Sequence, residues 1–344
     1  MSDPLQRVGW SERLDALWSA DSRPGLEPGR ISAQHKGSFT VITAAGEQRA
    51  AAAGALLHRA TSAEDLPAVG DWVGLRPGMI EVVLPRSGAL VRKVPGERSE
   101  VQVLAANVDT TLVVATLTNA VNVRRLERYT TIAWDAGAPP LVVLTKSDLV
   151  DDAAAAARAA QSALGTIPVV SISNVTGEGF EVMQAYLEGT PTLAALGPSG
   201  VGKSSLINRL LGAETLTTGE VRHDGKGRHT TTHRQLLPLP DGGALIDTPG
   251  LREVGLAPSG DGIDSTFEDV TSLAAGCRFP DCTHVHEPGC AVKDAVATER
   301  LAAYHKQRRE AAALARRMDK RLASEERRRW KLLGQEAKAR ARIR

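Results

Sequence analysis

The segment Gly197-Pro-Ser-Gly-Val-Gly-Lys-Ser204 matches the pattern G-x-x-x-x-G-K-[ST], and few stretches of sequence restrict a fold so tightly. Its glycines let successive backbone N–H groups turn inward around an anion, an arrangement that needs a strand on one side and a helix N-terminus on the other. Both flanks comply. Thr192 to Leu196 reads as a buried strand, and Ser205-Leu-Ile-Asn-Arg-Leu-Leu211 has the apolar spacing of a helix, which a chance Gly-rich turn would lack. The pattern predicts an α/β core in which Gly197, Pro198, Ser199, Gly200, Val201, Gly202, Lys203, Ser204 and Ser205 surround the phosphates of a nucleotide. Lys203 is expected at the β and γ phosphates, and Ser204 is expected to offer its hydroxyl to Mg²⁺.

Three further segments read as parts of the same site. Asp247-Thr-Pro-Gly250 follows the strand-like Ala244 to Ile246. An Asp at the end of a buried strand can hold Mg²⁺ through water, and the Gly250 N–H can approach a γ phosphate because no side chain crowds it. Thr145-Lys146-Ser147-Asp148 closes the strand Leu141 to Leu144. One carboxylate accepting from both N1–H and the exocyclic amine of guanine would leave adenine with unpaired groups, so Asp148 predicts guanine selectivity. GTPases usually carry Asn where Thr145 stands; the Thr hydroxyl can do part of the bracing done by that amide. A second reading makes Asp148 the N-cap of a helix starting near Asp151. Ser173 and Asn174, after Ile167 to Ile172, resemble the last guanine-binding loop, usually Ser-Ala, where a backbone N–H meets guanine O6. Asn174 takes the Ala place and keeps that donor. The base-reading segments thus precede the phosphate loop, whereas an ordinary GTPase begins with it. The order is that of a circularly permuted GTPase whose second switch leads straight into the C-terminal region.

That region holds all three cysteines within fourteen residues, Cys277-Arg-Phe-Pro-Asp-Cys282-Thr-His284-Val-His-Glu-Pro-Gly-Cys290. Cys277, Cys282, His284 and Cys290 supply the closed tetrahedral shell of one structural Zn²⁺, with no position open to substrate water. Disulfides would leave one thiol over, and His286 is a competing ligand two positions beyond His284.

Taken together, G-P-S-G-V-G-K-S-S, G-R-H-T-T-T at Gly227 to Thr232, D-T-P-G, the early T-K-S-D and the Cys-Cys-His-Cys knuckle resemble the RsgA (YjeQ) family of ribosome assembly GTPases, over roughly residues 31 to 300. The resemblance implies a multidomain α/β protein: an N-terminal OB-fold β-barrel, a circularly permuted P-loop GTPase domain and a C-terminal helical zinc-binding domain. It implies GTP hydrolysis to GDP and phosphate, stimulated by the small (30S) ribosomal subunit in late maturation, with that subunit and its rRNA as partners. Among Thr230, Thr231 and Thr232, we take Thr231 with Ser204 and Asp247 for Mg²⁺. Leu251 stands where many GTPases place a water-orienting Gln, so His229 is the nominee to guide the water, with a structural switch-loop role as its alternative. Lys203, Asp247 and His229 form the expected catalytic set.

The remaining sequence supports the domain outline. Phe39 to Ile42, Asp71 to Leu75 and Ile80 to Leu84, separated by Gly and Pro turns, suit a small barrel. Phe39 and Trp72 are either its stacking face or its core. Val123 to Asp135 and Asp152 to Leu164 read as helices. The expected boundaries are an extension at 1–28 with an apolar stripe at Trp10, Leu14, Leu17 and Trp18, an OB-fold at 29–95, the GTPase domain at 96–256, and a zinc domain with a basic tail at 257–344. The formal charge is only +2, yet from Arg300 onward sixteen Lys and Arg face five acids, an electrostatic footprint for RNA phosphates. No secretory leader and no apolar run near 18 residues is present, so a cytoplasmic protein without membrane contact is expected; a monomer is expected as well. Two other classes fit part of the pattern: an ATP-using P-loop enzyme, if Asp148 does not read the base, and an RNA-binding module for which nucleotide only locks shape.

Overall fold

The computed structural model describes residues 3–20, 24–93, 101–189, 191–213, 234–247 and 260–316. His229, Thr230, Thr231, Thr232, Gly250, Leu251 and the tail beyond residue 316 lie outside them. The chain divides into two compact units, Met1–Gly255 and Leu256–Arg344.

Five strands near the N-terminus close on themselves: β1 (Glu27–His35), β2 (Ser38–Thr43), β3 (Gly46–Ala52), β4 (Trp72–Arg76) and β5 (Met79–Val83). β1 is long enough to serve two partners. Its first half pairs antiparallel with β4, from Glu27 opposite Leu75 to Arg30 opposite Trp72, and from Gly29 onward it also pairs with β2, ending with His35 opposite Ser38. β2 then pairs with β3, β3 runs parallel to β5 at Ala51 and Met79, and β5 returns to β4. This closed five-stranded barrel leaves few strand edges bare and has the OB architecture. Ile31, Val41, Leu75 and Ile80 are buried within it. Phe39 and Trp72 are buried too, which makes them core residues rather than an open stacking face.

The N-terminal stripe, whose role was illegible in sequence, covers the barrel. α1 (Pro4–Arg7) and α2 (Glu12–Ala20) bury Leu5, Val8 and Leu14, and Trp10 meets Trp72 edge-on at 5.0 Å between ring centroids. Beneath lies Arg30, 1% exposed, which donates to Gly70 O (3.3 Å), Asn107 O (3.3 Å), Thr192 Oγ1 (2.7 Å) and Val8 O, with its guanidinium 4.7 Å from the Trp72 ring centroid. Burial draws its pKa down to about 10, against the pull of Asp109 and Asp71. One cation thus ties the N-terminal segment, the barrel and the first residue of a distant strand together. Asp71 is fully buried and held bidentately by Arg86 at 2.7 and 2.6 Å; burial still pushes its carboxyl upward.

After α3 (Gly54–Arg59) and the β6 (Ala89–Lys93) and β7 (Val101–Ala106) ladder, the second sheet is built from β8 (Thr110–Thr116), β9 (Pro140–Thr145), β10 (Val169–Ser171), β11 (Thr192–Leu196), β12 (Gln235–Pro238) and β13 (Ala244–Asp247). Their spatial order is β10-β9-β8-β11-β13-β12, all parallel except β12. Ala33 of β1 pairs with Gln235 of β12, joining barrel and sheet edge to edge. Both faces of this sheet are buried, as parallel sheets require. Leu112, Val114, Leu141 and Val143 pack with Met183 of α6 (Phe180–Ala185) and Leu206 and Ile207 of α7 (Lys203–Leu211). The alternate residues Val113, Val142 and Leu144 pack with Leu126 of α4 (Val123–Asp135) and Ala160 and Leu164 of α5 (Ala153–Leu164). α4 has the expected bounds, α5 starts one residue after Asp152, which caps it, and α7 starts two residues before Ser205; β10 is shorter than the expected strand from Ile167. Pro168 has no N–H to offer, and the Gln161 side chain takes over Ile167 O and Val169 N.

In the second unit α8 (Asp261–Thr266), α9 (Glu268–Ala274), α10 (Ala291–Ala295) and α11 (298–316) enclose Ile263, Phe267, Val270, Val292 and Leu301. Two of the basic residues counted in the tail work inside this unit: Arg300 grips Asp269 bidentately at 2.6 and 2.7 Å over the Phe267 ring, and Arg308 pairs with Asp264. Among the described residues no helix is long and apolar enough to cross a membrane.

Candidate functional site

Because β8, β9, β10, β11 and β13 are parallel, their C-terminal ends meet at one edge of the sheet, the place where open α/β sheets bind ligands. The register brings Leu196 opposite Val113, Thr116 opposite Thr145, and Ala194 opposite Ile246. The phosphate loop, the Thr145 loop and Asp247 therefore gather from three separated stretches of sequence.

The loop 197–202 has the backbone that its glycines allow. Gly197 has φ +151° and a Cβ there would lie 2.3 Å from Val114 O; Gly202, at φ +92°, begins α7 in the left-handed region. The N–H groups of Ser199, Gly200, Val201 and Gly202 have no partner among the described residues, as an anion cradle at a helix N-terminus requires. Lys203 reaches back across the loop, its ammonium donating to Gly197 O at 2.8 Å and to Pro198 O. Ser204 and Ser205 stand half-buried in the first turn of α7, and Asp247 half-buried at the end of β13. Beside the loop a cavity of about 390 Å³ is lined by Thr116, Asn119, Arg125, Tyr129, Lys146 and Ser199, among others.

The base-side loops lie against this cradle. Lys146 takes φ +63°, which turns the chain sharply after β9, and Ser147 N donates to Ile172 O at 3.1 Å. Asp148 is exposed and its carboxylate has no protein partner among the described residues, so it does not cap a helix. Asp152 caps α5, accepting from Ala155 N at 2.7 Å. Ser173 is buried, and its hydroxyl accepts from Val175 N (3.2 Å) and Thr176 N (3.0 Å). The Asn174 N–H is unpartnered among the described residues, as are the buried Ser147 Oγ and Asn174 Oδ1. Arg209 of α7 donates to Asn174 O at 3.0 Å and stacks 4.9 Å over the Phe180 ring. No periodicity or motif announces Arg209, because its partner lies 35 positions away.

In the second unit Cys277, Cys282, His284 and Cys290 place their ligand atoms within 4.8 Å of one another, and His286 is not among them. The Cys277 and Cys290 sulfurs lie 3.6 and 3.4 Å from His284 Nδ1 and 3.9 Å from each other. A tetrahedron with bonds of about 2.0–2.3 Å has edges of roughly 3.3–3.8 Å, so three thiols and an imidazole fit one zinc ion. His284 takes φ +60°. The loop that carries it is wrapped around Glu287, whose carboxylate accepts from Thr283, Val285 N and His286 N. The Thr283 bonds, hydroxyl then amide, hold that carboxyl well below the usual glutamate range. Glu287 was not identified in the sequence; a carboxylate bonded only to its own loop leaves no recognisable spacing.

A phosphate cradle behind two base-side loops, in this chain order, defines a circularly permuted GTPase. The model of the RsgA GTPase family matches residues 83–257. The chain is 44% identical to the small ribosomal subunit biogenesis GTPase RsgA of Opitutus terrae, covering 98% of each protein, and 43% identical to that of Streptomyces avermitilis, covering 98% of this chain and 94% of the other. Among solved structures it is similar to YjeQ from Thermotoga maritima (TM-score 0.62, 27% identity, 83% of this chain and 98% of that one). YloQ, described as a circularly permuted GTPase, shares the fold (TM-score 0.60, 21% identity, 84% and 96%). The chain belongs to the RsgA GTPase family, and its reaction is the hydrolysis of GTP.

Proposed function

We propose that this GTPase acts in late maturation of the small ribosomal subunit, binding its rRNA and hydrolysing GTP slowly until the subunit stimulates it. The observation that carries the reading is the convergence of the two base-side loops on the phosphate loop, together with relatives whose names place them in small-subunit biogenesis. The segment boundaries we assign are 1–28, 29–95, 96–256 and 257–344.

In this site Asp148 reads the guanine edge, and its freedom from protein partners supports that role. The Asn174 N–H donates to guanine O6, held in place by Ser173 behind it and Arg209 on its carbonyl. The four unpartnered loop N–H groups receive phosphate oxygens, and Lys203 exchanges its carbonyl partners for the β and γ phosphates. Ser204 and Asp247 offer oxygen donors of the kind Mg²⁺ takes, with Thr231 as the third; the ion would neutralise charge on the γ phosphate. Water attacks the γ phosphorus as the bond to the β–γ bridging oxygen breaks, giving GDP and phosphate. His229 orients that water, since Leu251 cannot. One Zn²⁺ on Cys277, Cys282, His284 and Cys290 organises the second unit, and the basic tail engages rRNA. The protein works in the cytoplasm as a monomer, without membrane contact.

The deciding experiment is GTP hydrolysis with and without purified small subunits, with ATP as competitor. Stimulation by subunits and indifference to ATP are expected. Displacement of GTP by ATP would favour a general P-loop enzyme, and the absence of any phosphate release would favour a shape-locked RNA-binding module.

A further inference from the structure

The Thr at position 145 leaves a deficit that the structure makes good elsewhere. The usual Asn amide has two N–H donors with which to tie the base-reading loop to its neighbours, whereas a Thr hydroxyl has one. Here that single proton faces two carbonyls, Val201 O at 2.5 Å in the phosphate loop and Ala115 O at 3.1 Å at the end of β8. Thr145 is fully buried, so no water completes the set. The next carbonyl of the phosphate loop, Gly202 O, is reached from the other base-side loop: Asn174 Nδ2 donates to it at 3.2 Å. The three residues pack together, since a Cβ built on Gly202 would lie 3.2 Å from Asn174 Nδ2 and 3.5 Å from Thr145 Oγ1.

We infer that the bracing amide has changed loops: Asn174 supplies from the Ser-Ala position what an Asn at 145 would supply, and with Thr145 it sets the phosphate loop relative to the base pocket. Asn174 is then a positioning residue for nucleotide binding. Two observations favour this over a loop-filling role. The Asn174 side chain stays inward although its Oδ1 is buried there without a partner, an arrangement that costs free energy unless the Nδ2 bond is useful. Its carbonyl is separately fixed by Arg209 from α7, so loop 173–177 is pinned to the phosphate-loop helix at two points. The inference rests on the proposed base-side reading.

Fluorescent GDP titration tests it on Asn174→Ala, Asn174→Asp, Thr145→Asn and the double variant Thr145→Asn/Asn174→Ala. Gly202 O keeps its helical bond from Leu206 N, so Asn174→Ala removes one hydrogen bond without orphaning an acceptor. The expected loss of GDP and GTP affinity is roughly 5- to 10-fold, with the nucleotide-free melting temperature unchanged. Asn174→Asp sets a carboxylate against Gly202 O and should lose more. The double variant restores the usual pair and should recover to within about 2-fold of the parent. Parent-like affinity in Asn174→Asp, or a double variant as weak as Asn174→Ala with a parent-like melting temperature, overturns the exchange. Asp148→Asn is run alongside. If it fails to shift preference from GTP toward xanthosine triphosphate, the base-side reading itself fails, whatever the Asn174 series gives.

Discussion

Replacing Arg30 with Met keeps the aliphatic stem against Trp72 and removes the cation that reaches four acceptors within the first unit. Four acceptors lose a donor, but not equally: Gly70 O retains Asn107 Nδ2 at 3.1 Å, while Val8 O and Asn107 O are left without their Arg30 bonds in a buried setting. At about 1–3 kcal/mol for each stranded carbonyl, the loss is roughly 2–6 kcal/mol. Against this stands the hydration that Arg30 gives up on folding. Its pKa of about 10, below the ordinary 12.5, means that the folded state disfavours the charged form by roughly 3 kcal/mol, which Met does not suffer. The attraction of Asp109 and Asp71 is already contained in that shift, so the stranded carbonyls outweigh the relieved burial only slightly, and the net destabilisation is about 1 kcal/mol. For a unit of this size that is a fall of roughly 2–4 °C in melting temperature. Arg30→Lys should be nearly as damaging, because a single ammonium cannot span four acceptors arranged for a planar fork. Urea unfolding and calorimetry of the nucleotide-free protein provide the measurement. Unchanged or increased stability in Arg30→Met, or parent-like stability in Arg30→Lys, would refute the assignment of Arg30 as the junction.

Asp148→Asn should weaken GTP binding and improve xanthosine triphosphate binding, because an amide donates where the carboxylate only accepts; competition titration reads this, and an unchanged preference removes Asp148 from the base pocket. Metal analysis should find about one zinc per chain, and Cys282→Ser should loosen the second unit with modest effect on GTP affinity, since metal binding there is folding energy; zinc-free, fully folded protein would contradict the site. His229→Ala should leave GTP binding nearly intact and lower subunit-stimulated turnover by about 10²-fold, whereas Lys203→Ala should damage binding and turnover together. Parent-like stimulation of the His229 variant, with docking verified by a non-hydrolysable analogue, would return His229 to a structural role.

The local sequence alone determined the parts whose chemistry demands particular residues at particular spacings. The phosphate loop needs Gly at 197 and 202 because of a positive φ and a carbonyl 2.3 Å from where a Cβ would stand. The three cysteines and the histidine that could hold a zinc ion sit within fourteen residues, so their convergence needs no distant part of the chain. α4 and α5 follow from their local sequence, α5 from the helix propensity of its alanine run, and Asn122 and Asp152 cap them. The inverted order of the loops is likewise a property of the linear chain, and it establishes the permutation before any coordinate is known.

Tertiary structure decided what depends on pairing across long separations. β1 and β3 carry Gly, Pro and polar residues that weaken alternation, and they are strands because barrel closure gives them partners. Arg30 reads in sequence as an ordinary surface cation, yet its acceptors come from Val8, Gly70, Asn107 and Thr192, up to 162 positions away. The Asn174 bond to Gly202 spans 28 residues and was hidden for the same reason. A side chain's local pattern records its own helix or strand; which carbonyl it reaches is set only when separate elements pack, and there the free energy of a buried donor depends on a partner that its neighbours in sequence do not reveal.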